Sequence, residues 1–101
     1  MARSPLPEGA FVTHSGRAWP LQGKRYARPD IVTLINNTEV VVFVGDAKRH
    51  KRLERRDVNK VAMYRDVTKA ESAAVFVPTN CKVADSVLTH AQNLAITIVR
   101  L

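Results

Sequence analysis

Cysteine is almost absent from this chain: Cys81 stands alone in 101 residues. That excludes an internal disulfide and a cysteine-based zinc site, and it fits a reducing, cytoplasmic setting. Long apolar runs are also lacking. None exceeds six residues, against the roughly 20 that cross a bilayer, so no membrane partner is expected. Met1-Ala2-Arg3-Ser4-Pro5 opens no secretory apolar region. Acids are scarce early in the chain, where Glu8 is the only one before Asp30. Repeats and low-complexity tracts are missing. What is present is ordinary globular composition, 46% hydrophobic and 25% charged, which argues against disorder and for a single domain over residues 1–101. The net charge of +7 favours a polyanionic partner, and nucleic acid fits better than membrane.

Residues 1–27 read as a loop-rich segment ahead of a core at 28–101. Four prolines and three glycines fall in the first 29 residues, too many breakers for a helix of ordinary length. Ala10-Phe11-Val12-Thr13 and Arg17-Ala18-Trp19 are candidate short extended pieces. Trp19 is read as a core or lid residue ahead of a base-stacking platform, and His14 as a loop residue.

The stretch from Arg28 to Lys48 organises the rest. Ile31-Val32-Thr33-Leu34-Ile35 and Val40-Val41-Val42-Phe43-Val44 are apolar, β-branched runs around Asn36-Asn37-Thr38, a hairpin signal. With residues 36–39 as the loop, Ile35 faces Val40 and Asp30 falls level with Gly45-Asp46. Strand alternation sends Asp46 and Lys48 to one side. Val40, Val42 and Val44 are assigned to the Asp46 face and Val41 and Phe43 to the other, so the strand is expected to be covered on both faces. Two carboxylates and an ammonium at the open end of an apolar hairpin are costly as core. A functional site is the better reading.

Lys48-Arg49-His50-Lys51-Arg52-Leu53-Glu54-Arg55-Arg56 holds six Lys or Arg in nine residues directly beyond that end. A solvated connection accounts for it blandly. Its position favours a phosphate-binding patch of Arg49, Lys51, Arg52, Arg55 and Arg56. A helix is expected from Arg55 or Asp57 to Lys69, with Asp57 a candidate N-cap. Val58, Val61 and Ala62 lie on one side of it, and Lys60, Met63, Tyr64 and Val67 on the other. Ser72–Pro78 reads as a third strand. Val83–Ala91 reads as a helix with a Val83, Val87, Leu88, Ala91 stripe and a surface His90, and Ala95–Leu101 as a last strand. Strand–helix–strand connections favour right-handed parallel crossovers on one sheet.

Pro29-Asp30, a gap and then Asp46-Ala47-Lys48 resembles the signature of the PD-(D/E)XK, restriction-endonuclease-like nucleases. The resemblance covers residues 28–101. It implies an α/β fold with a mixed central sheet flanked by helices, in the order β-hairpin, α, β, α, β. It further implies Mg²⁺-dependent phosphodiester hydrolysis, with Mn²⁺ as substitute, by a DNA endonuclease. Asp30 and Asp46 become metal ligands, joined by the Ala47 carbonyl, with Glu8 reaching the site from its loop unless the two aspartates suffice or a partner chain completes the shell. Lys48 becomes the catalytic lysine beside the attacking water. Lys60-Val61-Ala62-Met63-Tyr64 is similar to the family's Gln-x-x-x-Tyr pair with lysine in place of glutamine, which places Lys60 and Tyr64 at the scissile phosphate. The family's first helix, with its additional glutamate, has no counterpart here.

At this length no element is spare for reading bases, so structure-selective cutting, as in small Holliday junction resolvases, ranks above sequence-specific cutting. Those enzymes are homodimers, and apolar surface left by the missing helix favours self-association. Two other classes compete. One is a non-catalytic nucleic-acid-binding module on a decayed nuclease fold, and the other is an unrelated small basic RNA-binding protein.

Overall fold

The computed structural model describes residues 9–21, 23 and 25–101. These form a mixed sheet of five strands with two helices, an α/β arrangement. Strands β1 (Phe11–Ser15), β2 (Trp19–Pro20), β3 (Tyr26–Ala27), β4 (Ile31–Ile35), β5 (Val41–Ala47) and β6 (Arg52–Leu53) precede helix α1 (Arg55–Thr68). Then follow β7 (Ser72–Val77), β8 (Lys82–Val83), helix α2 (Asp85–Asn93) and β9 (Ile96–Arg100). The main sheet runs β1-β4-β5-β7-β9, with β2-β3 and β6-β8 as separate two-stranded ladders. β1, β4 and β5 pair antiparallel, while β5, β7 and β9 pair parallel, as two successive crossovers require. The Ala10–Thr13 run thus becomes an edge strand of the main sheet, with Phe11 opposite Ile35. Trp19 pairs with Ala27 and packs half-buried against the core, under the Arg17 guanidinium at 4.9 Å.

The hairpin closes as its loop chemistry dictates. Ile35 N–H donates to the Val40 carbonyl at 3.0 Å, and the Thr38 hydroxyl caps the Ile35 carbonyl at 2.8 Å. Beyond that point the register slips: Leu34 pairs with Val41 but Thr33 pairs with Phe43, leaving Val42 as a bulge. The bulge turns Val41 toward the same face as Val44, and both are buried. This corrects the assignment of Val40, Val42 and Val44 to one side, since Val42 is half-buried and Val40 is 51% exposed.

Coverage on both faces is corrected too. Two same-sense crossovers put both helices on one face: α1 packs on β5 and β7, α2 on β9, and the helices touch. That face joins Val32, Leu34, Val41, Val44, Val75 and Val77 to Val58, Val61, Val87 and Ala91 in one core. The opposite face holds Phe43 and Phe76, edge-on with ring centroids 6.4 Å apart, and the half-buried Ile31, Thr33 and Ile35.

Gly45 sits beneath those rings. A Cβ there would lie 2.8 Å from Phe76 Cε2, closer than side chains tolerate, and a tight 3.1 Å from Phe43 Cε2. Gly45→Ala is therefore expected to cost about 1–3 kcal/mol through ring displacement, read as a lower urea midpoint with unchanged m-value.

Helix α1 begins at Arg55 with Glu54, not Asp57, at its N-cap. Asp57, in the first turn, accepts the Glu54 backbone N–H at 2.9 Å, so its role is reciprocal capping from inside the helix. The helix stops at Lys69, whose left-handed backbone (φ 60°) lets its N–H reach the Arg65 carbonyl. Tyr64 is buried with Val58, Val61 and Ala62, so it belongs to the core-facing side and not to the Met63 side. In α2 the buried stripe shortens to Val87 and Ala91; Leu88 is 42% exposed and Val83 lies in β8. His90 is half-buried between the helices. Its Nε2 lies 2.6 Å from Asn59 Oδ1 and its Nδ1 lies 3.4 Å from an Arg55 nitrogen. No helix among the described residues is long and apolar enough to cross a membrane.

Candidate active site

Of the expected site residues, Asp30, Asp46 and Lys48 meet at the carboxyl end of β5. Ile31 pairs with Gly45, so Asp30, one residue earlier, lies level with Asp46 across the ladder. Asp30 is held there by its partner strand: Asp30 Oδ2 accepts the Ala47 backbone N–H at 2.8 Å. Asp46 points to the helix-covered face and is 4% exposed. Its Oδ2 lies 2.7 Å from Lys48 Nζ, whose side chain is itself only 13% exposed.

Among the described residues the buried polar side chains are Asp46, Asp57 and Thr68. Two of these have helix-end tasks. Asp57 caps α1, and Thr68 Oγ1 donates to the Tyr64 carbonyl at 2.8 Å. Asp46 has no such task, and its partners are the other charged groups of the cluster.

Burial raises the Asp46 pKa above the ordinary 3.8; the Lys48 ammonium pulls it back, and Asp30 pushes it further up. Burial likewise raises the Tyr64 phenol, with the Asp46 charge adding to the effect. That electrostatic link puts Tyr64 in the neighbourhood of the carboxylates. One turn earlier, Lys60 Nζ stands 5.9 Å from the Tyr64 ring centroid, so the expected Lys60–Tyr64 pair is formed.

The arrangement combines two carboxylates, one ammonium and a phenol, with Lys60 at the margin. Its two anions outnumber the one cation, which contacts Asp46, and Asp46 bears the cost. A divalent cation fits that imbalance, because Mg²⁺ is commonly held by one or two carboxylates and completes its shell with water and phosphate oxygens. Asp30 and Asp46 are the residues that would hold it. The Ala47 carbonyl belongs to the same strand end, whereas Glu8 lies outside the described residues. Among the described residues no group of three or more acid, histidine or cysteine side chains converges.

The basic run leaves this end exposed to solvent at Arg49, Lys51, Arg52, Arg55 and Arg56. It divides into two sets. Arg56 pairs with Glu54 (3.2 Å) and Arg55 turns to His90, while Arg49, Lys51 and Arg52 extend from the strand end before the helix. Lys51 is tied down through its backbone, where its carbonyl accepts the Lys82 N–H at 2.8 Å. The β6-β8 ladder was not legible beforehand, and neither was the His90 bridge. The alternation of Arg52-Leu53 and Lys82-Val83 is too short to announce strands.

A sign-specific test follows from Asp46. Because its pKa is raised, the native protein holds this proton more tightly than the unfolded chain does. Its contribution to stability therefore declines as pH rises from the ordinary 3.8 through the raised value. Measured against Asp46→Asn by urea denaturation, wild-type stability is expected to fall as pH rises above the ordinary 3.8 and to level off once the raised value is passed. A difference that is flat or rises with pH contradicts the assignment.

No family model, curated protein or solved structure matches the chain.

Proposed function

We propose that the chain is a divalent-metal-dependent DNA endonuclease with a restriction-endonuclease-like core, selective for branched or junction DNA. The observation that carries this reading is the Asp46–Lys48 contact at 2.7 Å beside Asp30, itself fixed on the Ala47 N–H. A purely structural ion pair needs no second carboxylate, and a binding surface for phosphates is weakened by two. Hydrolysis uses both. A cation held by Asp30 and Asp46 supplies Lewis-acid polarisation of the phosphate and a more acidic water.

The chain's own groups do the rest. Lys48 is anchored by Asp46, so its ammonium is presented in one orientation, where it donates to the attacking water or to a phosphate oxygen as negative charge grows. Water adds to phosphorus, the opposite P–O bond breaks, and the departing oxygen takes up a proton. Lys60, exposed on α1, positions the non-bridging oxygens of the reacting phosphate, with the centroid of the buried Tyr64 ring 5.9 Å from its ammonium on the core-facing side. Arg49, Lys51 and Arg52 hold the flanking backbone.

Self-association belongs to the same reading. The helix-free sheet face around Phe43 and Phe76 is the apolar surface that pairs two copies, and light scattering at micromolar concentration is expected to give twice the monomer mass.

The metal half of the proposal is checked without catalysis. Binding of Mg²⁺ favours ionised carboxylates, so saturating Mg²⁺ is expected to raise the melting temperature and to flatten the pH-dependent decline assigned to Asp46. Asp30→Asn and Asp46→Asn each abolish that response. The catalytic half is checked by cleavage of end-labelled duplex, single-stranded, flap and four-way-junction DNA, with the branched substrates cut fastest. No cutting, with salt-sensitive binding retained, moves the chain to the non-catalytic module.

A further inference from the structure

Beyond Lys48 the chain does not leave the sheet edge. Lys48 N–H donates to the Phe76 carbonyl and Lys82 N–H to the Lys51 carbonyl, both at 2.8 Å, so the segments after β5 and β7 run side by side. They end in the β6-β8 ladder, which pairs Arg52 with Lys82 and Leu53 with Val83. Here, at the same carboxyl edge as Asp46 and a few residues along the chain, lies a cavity of about 510 Å³. Leu53, Val83 and Val87 give it apolar walls, and Arg52, Arg55 and Lys82 surround them.

Three features mark it as a site for an anion joined to an apolar body. Arg52 and Lys82 are register partners on adjacent strands, so two exposed cations flank the cavity and an anion between them relieves their mutual repulsion. Ala84, also on the lining, is the N-cap of α2 and offers no side-chain cap. The Val87 N–H turns back to the Ala84 carbonyl at 3.0 Å and Asp85 stands in the same first turn, so the helix end adds its partial positive charge to the two cations and does not form a site alone. The one acid on the lining, Glu54, is already paired with Arg56. The cavity has the size of an ordinary small-molecule pocket and has no aromatic among its walls.

We infer that this cavity receives one unpaired nucleotide of the nucleic-acid substrate, its base against Leu53, Val83 and Val87 and its phosphate between Arg52 and Lys82. The inference rests on the nucleic-acid half of the nuclease reading and adds what that reading lacks, a structural basis for preferring branched DNA. Only a nucleotide freed from pairing can enter. The apolar walls offer no pattern of donors and acceptors, so all four bases are accepted. A paired duplex meets the site through the basic run alone.

The test is binding in EDTA, where metal-dependent cutting is stopped, to a duplex with a one-nucleotide flap of 2-aminopurine and to the same duplex fully paired. Wild-type protein is expected to raise the 2-aminopurine fluorescence several-fold as the base leaves the stack, and to bind the flap substrate about tenfold more tightly than the paired one. Lys82→Ala and Ala84→Glu change exposed positions outside the catalytic cluster. Both are expected to abolish the fluorescence rise and the preference while leaving affinity for paired duplex within about twofold. Unchanged fluorescence and preference in both variants overturn the inference, as does a wild type with no preference. A cavity that instead binds anionic vesicles, with Ala84→Glu blocking that binding and 2-aminopurine silent, also overturns it. Retained flap preference with no cleavage in Mg²⁺ leaves the cavity assignment standing and removes the endonuclease reading, so the two failures are distinct.

Discussion

Asp46→Asn is expected to lower Mg²⁺-dependent cleavage by at least about 10³-fold, which corresponds to about 4 kcal/mol of barrier at 1.36 kcal/mol per tenfold. The substitution keeps the side chain's shape but removes the charge that would hold the cation and anchor Lys48, whose Nζ lies 2.7 Å away. Affinity for DNA in EDTA is expected to be unchanged or higher, because a carboxylate has left the neighbourhood of the phosphate. Lys48→Ala is expected to cost less, about 10²–10³-fold, the usual loss of one preorganised donor to a growing negative charge. It leaves Asp30 and Asp46 to bind Mg²⁺, so the Mg²⁺-induced rise in melting temperature survives in Lys48→Ala and disappears in Asp46→Asn. That split separates the roles of the two residues. A general loss of fold would remove both signals from both variants.

The second large effect concerns salt. Arg49→Ala combined with Lys51→Ala removes two exposed cations beside the cluster. If each neutralises one phosphate, the slope of log affinity against log salt flattens by about 2, since each contact contributes about 0.9 on duplex DNA. The affinity loss at low salt is expected to be on the order of 10–100-fold and similar for paired and branched substrates. That uniformity distinguishes these residues from Lys82, whose loss is expected to matter only when an unpaired nucleotide is present. Arg56 provides the contrast within the run. It already pairs with Glu54, so Arg56→Ala is expected to move the slope less.

The meeting of Asp30 with Asp46 and Lys48 was legible in the sequence because hairpin geometry is local. Asn36-Asn37-Thr38 closes the turn, the Ile35–Val40 bond starts the register, and Asp30 then reaches the level of Asp46 with little freedom. The bulge at Val42 was not legible. A run of four valines and a phenylalanine offers no polar position to mark which side faces out, so a one-residue slip leaves the pattern unchanged. That slip decides which valines enter the core, moving Val41 to the Val44 face, while Phe43 lies over Gly45 on the other face by ordinary alternation, as the sequence indicates.

The i, i+4 spacing brings Lys60 to Tyr64, but it does not tell that Tyr64 faces the core. Its hydroxyl marks it as polar in any pattern, while its ring is buried with Val61. Both helices on one face follows from sheet order, which no local pattern states. The cavity depends on two-residue strands and a contact between segments about 30 residues apart in the chain, Arg52 with Lys82. Nothing in either segment read alone announces it.

The most direct measurement is cleavage of end-labelled duplex and four-way-junction DNA by the wild type, Asp46→Asn and Lys48→Ala, each in Mg²⁺, Mn²⁺ and EDTA. The account predicts cutting by the wild type in either metal, none in EDTA, and losses in the variants in the order Asp46→Asn greater than Lys48→Ala. Cutting that persists in EDTA, or that both variants retain at the wild-type rate, would contradict a catalytic centre at Asp30, Asp46 and Lys48.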